Sequence, residues 1–397
     1  MEAKLDHLMG WKLGLIMGFL ILLFILQGSQ LSFATGTEEG SGSNFLTRSA
    51  HSVADSLRNS FDKEALRKVI PSFDVARMLK DLTMGNFPIK LKDIQKTILG
   101  LFFDEFFEMG ALVAKVLGIL LLMSLIHHLK SSFESQKIRE IAYYCGYLVM
   151  SMMLYHVIVQ GMEMTRNLVK NASSFIYAIF PVLMGLMVSS GQVASSILIK
   201  PFYISSMVFL FALLEKVILP MLLFQAAISF VANFTDKISI RSMGALNKSI
   251  AMWLMGGFLT LFTAVLSLQG SLGFSIDNVT AKTTKFSLNT FVPLAGKYIS
   301  DASETVIACS MLLKNSAGVL ATIILVGICL TPLIKASAMS LLFKLLTIFA
   351  EILEEKKFAN LFNDISHIFM VLTGIIATLV LIFYVSISFV LGSIKPF

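Results

Sequence analysis

The sequence predicts an all-α, polytopic membrane protein with a small helical extracytoplasmic domain near its N-terminus. Three observations carry this. Of 397 residues, 56% are hydrophobic and only 14% charged, against about 25% charged in soluble globular chains. Mean hydropathy is +0.80, and Phe (33) and Met (22) are both abundant; a soluble domain would expose much of that apolar surface. Beyond residue 105, long uncharged runs recur to the end of the chain. In lipid every backbone polar group must be satisfied within the fold, and continuous apolar runs do that as helices.

The first element is a leader. Lys4 and Lys12 precede an uncharged run from Leu13 to Leu26, and a polar stretch then ends in Ser32-Phe33-Ala34. That order reads as a secretory signal peptide over residues 1–34, cleaved after Ala34; the alternative is a retained anchor helix. Either way, the following residues are exported. Thr35 to Asn44 form a Gly/Ser-rich linker. Leu46, Ala50, Val53, Leu57 and Phe61 then recur at helical spacing. Pro71 and Pro88 punctuate two further helical segments. Residues 35–105 are balanced in charge and too few to bury a large core alone. They are expected to form a small extracytoplasmic helical domain that packs on the membrane part or on a partner.

Residues 106–397 form the predicted transmembrane domain. Its runs are Met109–Ile126 (interrupted by Lys115), Ile141–Met162, Ala172–Ile199 (broken by Pro181, Gly185 and Gly191), Phe202–Leu214, Val217–Thr235, Ser249–Ile276, Asn315–Pro332, Ala336–Ala350 and Ile365–Ile394. A span needs about 20 apolar residues, so these runs predict seven to nine transmembrane helices. Lys130, Lys137 and Arg139 fit a cytoplasmic loop, as do Lys237, Arg241 and Lys248. Lys282, Lys285 and Lys297 fit either side.

Composition and motifs also exclude functions. The net charge of +7 lies within the hydrophobic region rather than in a solvated basic block, so nucleic-acid binding is not expected. Cys145, Cys309 and Cys329 are far apart in apolar runs and read as buried small side chains. No Walker A, His-Glu-x-x-His or Gly-x-Ser-x-Gly sequence occurs. His127 and His128 are adjacent, and neighbours on a helix point in different directions. No catalytic residue, cofactor or metal site is expected, and an ATP-driven step would need a separate ATPase chain.

Two features suggest a site. Phe175, Phe180, Leu183, Gly185 and Ser189 reappear at an offset of 111 as Phe286, Phe291, Leu294, Gly296 and Ser300, with Pro181 and Pro293 one position out of register. As an internal repeat this would place broken or re-entrant segments at Pro181, Gly185, Pro293 and Gly296, as at the discontinuous helices of transporters. The other reading is a bent span and a surface loop. The second feature is Ala281–Leu320, where Lys297, Asp301, Glu304 and Lys314 enter an otherwise apolar context. Asp301 and Glu304 share a helix face at spacing three. Such charges face a protein interior or a water-filled cavity: they form a structural polar network, line a conduit or couple an ion or proton.

The same region carries a resemblance. Phe291-Val292-Pro293-Leu294-x-Gly296, then Ser300-Asp301-Ala302-x-Glu304-Thr305-Val306, Cys309-Ser310 and Leu313-Lys314-Asn315-x-x-Gly318 are similar to the stage III sporulation protein AE family. Ala308 departs from it, where Gly is more typical. The plan of leader, short exported helical domain and polytopic remainder fits as well. The resemblance implies a subunit of a secretion-like channel complex in the mother-cell membrane around the forespore, supporting late forespore gene expression. It implies other membrane and ring-forming subunits, a separate ATPase and a forespore membrane protein as partners. Lys297, Asp301, Glu304, Lys314 and Asn315 become the candidate conduit or network residues. An autonomous secondary transporter with its site at broken helices is the competing reading.

Overall fold

The computed structural model describes residues 74–84, 91–128, 136–235, 238–291 and 295–392, and every regular element in them is helical. In order these are α1 (Val75–Thr83), α2 (Leu91–Glu108), α3 (Gly110–His128), α4 (Gln136–Ser189) and α5 (Val193–Leu213). A π-helical turn (Leu214–Ile218) joins α5 to α6 (Leu219–Thr235), and α7 (Ile238–Phe291), α8 (Ala295–Ile352) and α9 (Lys356–Gly392) follow. The leader and residues 35–73 lie outside the described residues.

Among the described residues, five stretches are long and apolar enough to cross a membrane: Ile141–Ser189, Val193–Phe234, Ser249–Thr284, Ile307–Ile352 and Lys356–Leu391. A sixth is added if α2 and α3, bent by 42° at Met109, count as one span. That is fewer than the expected seven to nine, and helix continuity is the reason. Phe202–Leu214 and Val217–Thr235 were separated by Glu215-Lys216, but these two residues sit inside the π turn of one unbroken rod. Likewise α8 passes through Pro332 and Lys335, joining two runs.

The core is the α8–α9 pair. In the apolar window of α8, 78% of residues are buried, against 22% for α7 at the periphery. Their axes are antiparallel: Ser340 and Ser366 exchange hydroxyl-to-carbonyl bonds at 2.9 and 2.8 Å, and Phe343 stacks on Phe369. Along α4, Gly161 faces the Phe369 ring, leaving no room for a Cβ, and Phe175 meets Phe383. Between α4 and α5, Phe180 and Tyr203 stack with centroids 3.9 Å apart. On the other side of α8, α1 and α2 pack against it, and Asp74 caps α1 through Ala76 N and Arg77 N.

Three polar levels cross the bundle. At the lower end Tyr143 donates to Glu355 (3.1 Å) and Asn233 to Asp364 (3.2 Å). Midway, Lys170 lies 4.0 Å from Glu215, and about two turns lower Lys335 lies 3.0 Å from Glu105 and 3.9 Å from Glu108. At the upper end the chain turns at Ser190–Gln192.

Candidate functional site

The upper turn is where a long helix breaks. Gly191 has φ +82°, the left-handed region that favours glycine. Gln192 N donates to Met187 O (2.9 Å) and Gly191 N to Val188 O (3.0 Å), closing the C-terminus of α4 as a Schellman turn. Pro181 and Gly185, expected as the break, instead lie inside α4, which runs unbroken to Ser189. A proline removes one backbone donor, and packing of the flanking turns, including the Phe180–Tyr203 stack, holds the helix through it.

The break is clamped from two other helices. Gln192 is the N-cap of α5 but makes no side-chain capping bond. Asp277 of α7 does this from outside: its two carboxylate oxygens accept from Ala194 N (2.7 Å) and Ser195 N (3.0 Å). A buried carboxylate is favoured there by the unpaired amides and positive dipole of a helix start. Close approach makes this contact: a Cβ on Gly273 would fall 2.6 Å from Ser195 Cα.

Lys314 of α8 is fully buried. Its Nζ donates to Gln192 Oε1 (3.2 Å) and to Val390 O (2.8 Å). Val390 lies in the last turn of α9, so Lys314 closes an orphan carbonyl at the negative end of that helix. An acid and a cation thus serve one turn of chain from different helices. Around them, Ser195 Oγ, Ser310 Oγ and Asn315 Oδ1 are buried without a hydrogen-bond partner among the described residues. Each such group costs about 1–3 kcal/mol.

Of the residues expected from sequence, Lys314 and Asn315 belong to this site. Lys297, Asp301, Glu304 and Gly296 lie on α8, and their side chains lie outside the described residues, as does Pro293 altogether. Asp301 precedes Lys314 by about 20 Å along one continuous helix, at 1.5 Å per residue. Gln192, just beyond the end of α4, bonds Lys314. The 111-residue offset does not map onto helix ends: α4 and α7 are both 54 residues long and end at Ser189 and Phe291. Asp277 and Gln192 were not singled out from sequence, whereas Gly191 was marked with Pro181 and Gly185 as a break in the run Ala172–Ile199. A signal existed in the Ser189-Ser190-Gly191-Gln192 turn tetrapeptide and in a lone acid ending an uncharged run.

No group of three or more His, Cys, Asp or Glu that could hold a metal occurs among the described residues. The arrangement positions one negative and one positive group at a helix break.

A family model for stage III sporulation protein AE matches residues 73–393, which include every residue of this site. The chain belongs to the stage III sporulation protein AE family. A relative in Bacillus subtilis (strain 168), stage III sporulation protein AE, is 26% identical over 313 residues, covering 79% of this chain and 78% of the relative. No solved structure matches. Membership carries a role in sporulation, and the name is not that of an enzyme family.

Proposed function

We propose that this chain is a non-enzymatic, multi-pass membrane subunit of a sporulation-specific, secretion-like channel complex joining mother cell and forespore, needed for late forespore gene expression. The family supplies the sporulation role. One observation favours a subunit over an autonomous transporter: the apolar helices are too long for a bilayer. The five spans have 36 to 49 residues, or about 54–74 Å at 1.5 Å per residue. A hydrocarbon core is about 30 Å thick. Fitting the longest inside it needs a tilt of about 66°, well beyond the 0–40° that spanning helices adopt.

Large apolar side chains are nonetheless exposed along both halves. Met152, Leu148 and Leu122 lie on the lower half, and Ile197, Phe209 and Leu268 on the upper. Lipid covers one half, and protein must cover the other. The partners in this reading are the other membrane and ring-forming subunits, a separate ATPase and a forespore membrane protein across the intermembrane space. The break at Gly191, with Asp277 and Lys314, is the candidate conduit or gating element.

The test combines two measurements. In an endospore-forming host, affinity capture of the tagged chain should retrieve the other subunits, and Lys314→Met should keep that capture while lowering spore yield and late forespore reporter expression. Reconstituted alone in liposomes, the chain should move no solute; transport by the isolated chain would establish the transporter reading instead.

A further inference from the structure

The reading above leaves open which half of the bundle the bilayer surrounds, and the geometry of the middle level bears on this. We propose that lipid surrounds only the lower half, from the Tyr143–Glu355 level to the Lys170–Glu215 level, with the lower end cytoplasmic. The break at Gly191 then stands clear of lipid on the opposite side. The inference rests on the chain being a membrane subunit.

Segment length is the first argument. Between the two levels, α3 has 19 residues and α6 has 17, or about 29 and 26 Å. The uncharged run Ile141–Met162 of α4 covers about 33 Å. Three helices from different parts of the sequence thus match one hydrocarbon thickness. On α4, Glu163 and Arg166 lie in the two turns below Lys170, at the upper border, and on α7 Lys248 lies about one and a half turns below that border. Lys344 donates to Asn363 at 2.9 Å within the bundle. Lys115 lies just over a turn into α3 from the middle level, within snorkelling reach.

The borders are the second argument. Aromatic residues gather at membrane–water interfaces, where an amphipathic ring meets headgroups. At the middle level Phe103 and Phe107 are exposed beside the Glu105–Lys335 pair. Trp253, the most exposed of them at 79%, lies five residues before Phe258, which stacks on Phe209 of the antiparallel α5. That brings Trp253 level with the π turn holding Glu215 and Lys216. At the lower border Tyr143 and Tyr144 play the same part.

The third argument is a change of composition at the 42° bend. Below it, α3 carries a single Lys; above it, α2 carries Lys92, Asp93, Lys96, Asp104, Glu105 and Glu108 along the flank of α8. Lipid against α2 would have to solvate those charges at heavy cost. Orientation follows from the expected leader, which would export residues 35–105 and with them the upper side on which α2 lies, and from the lower connections, which hold Lys130, Lys137, Arg139, Lys237 and Arg241, followed by Lys356 and Lys357. Short basic connections of this kind are cytoplasmic.

The test uses the full chain with Cys145, Cys309 and Cys329 replaced by Ala and single cysteines added. In brominated phosphatidylcholine vesicles, a bimane on Met152→Cys should be quenched at least twofold more than one on Leu268→Cys. In intact cells, an impermeant maleimide should label Ser189→Cys directly and Glu351→Cys only after permeabilisation. Equal or reversed quenching, or the opposite labelling pattern, would overturn the placement. Neither readout needs a partner, so loss of partner capture alone would refute the subunit reading and leave the placement standing.

Discussion

Asp277 and Lys314 cap two different helices at the same end of the bundle, each with the charge its helix end favours. Asp277 accepts the first free amides of α5, and Lys314 donates to a last-turn carbonyl of α9 while also holding Gln192. Both are buried. Their chemistry, however, separates stability from function.

Asp277→Ala leaves two amides without an acceptor, and loss of a helix N-cap costs about 0.5–2 kcal/mol. Asp277→Asn keeps an acceptor and should retain part of the stability. Lys314→Met removes a buried charge whose desolvation costs several kcal/mol, with little change of volume, and this offsets the loss of its bonds to Gln192 Oε1 and Val390 O. Lys314→Ala adds a cavity. Thermal melts of the detergent-solubilised protein should therefore rank Lys314→Met nearest the parent, then Asp277→Asn, with Asp277→Ala and Lys314→Ala lowest. A Lys314→Met protein that fails to fold would show the amine to be a structural necessity.

The break itself gives a second prediction. Gly191→Ala puts a Cβ on a left-handed residue, costing about 1 kcal/mol or more. Gly273→Val must displace the Ser195 backbone and should cost more still. Pro181→Ala should leave the melting temperature unchanged or raise it, because it restores a backbone donor inside a continuous helix. If Pro181→Ala destabilises as Gly191→Ala does, the break has been assigned to the wrong residue.

Much of this was legible in the sequence, and the illegible part has a physical cause. Composition identifies a helical membrane class because the requirement to satisfy backbone groups in lipid leaves few alternatives. Lys314 was visible as a charge in an apolar run. Glu215-Lys216 suggested a gap between helices, yet the two side chains leave the rod sideways at a π turn, and Lys170 meets Glu215 across the groove. Hydropathy along one segment cannot register a partner supplied by another. For the same reason Asp277 was overlooked: its role is set by a turn more than 80 residues earlier in the chain.

Helical register gives a third prediction, for Asp301. Lys297 lies four residues before it on α8, the spacing at which opposite charges on a helix contribute about 0.2–0.5 kcal/mol. Lys314 lies too far along the same helix to respond. In melts of purified variants, the loss caused by Asp301→Asn should be offset by adding Lys297→Gln and should simply add to that of Lys314→Met. Non-additivity with Lys314→Met would mean that α8 bends enough to bring the two together.

The last prediction concerns how α2 is fastened to the core. Glu105 is 3.0 Å from Lys335, with the side chains 14% and 39% exposed, and Glu108 is 3.9 Å away. Beneath them Phe102 and Phe106 pack on a cluster of Met109, Ala338 and Leu342. The apolar cluster supplies most of the attachment, since partly exposed ion pairs contribute only about 0–1 kcal/mol. The pair instead fixes where along α8 the bend at Met109 sits. Lys335→Glu sets three acids together and should weaken docking more than Lys335→Gln does. Adding Glu105→Lys to Lys335→Glu should recover part of that loss, because it restores one opposite-charge contact. A double-mutant cycle on melting temperature, repeated at low and high salt, measures this directly: coupling should shrink as salt rises. Equal melting temperatures for Lys335→Glu and Lys335→Gln at low salt would show that the charges play no part in seating α2.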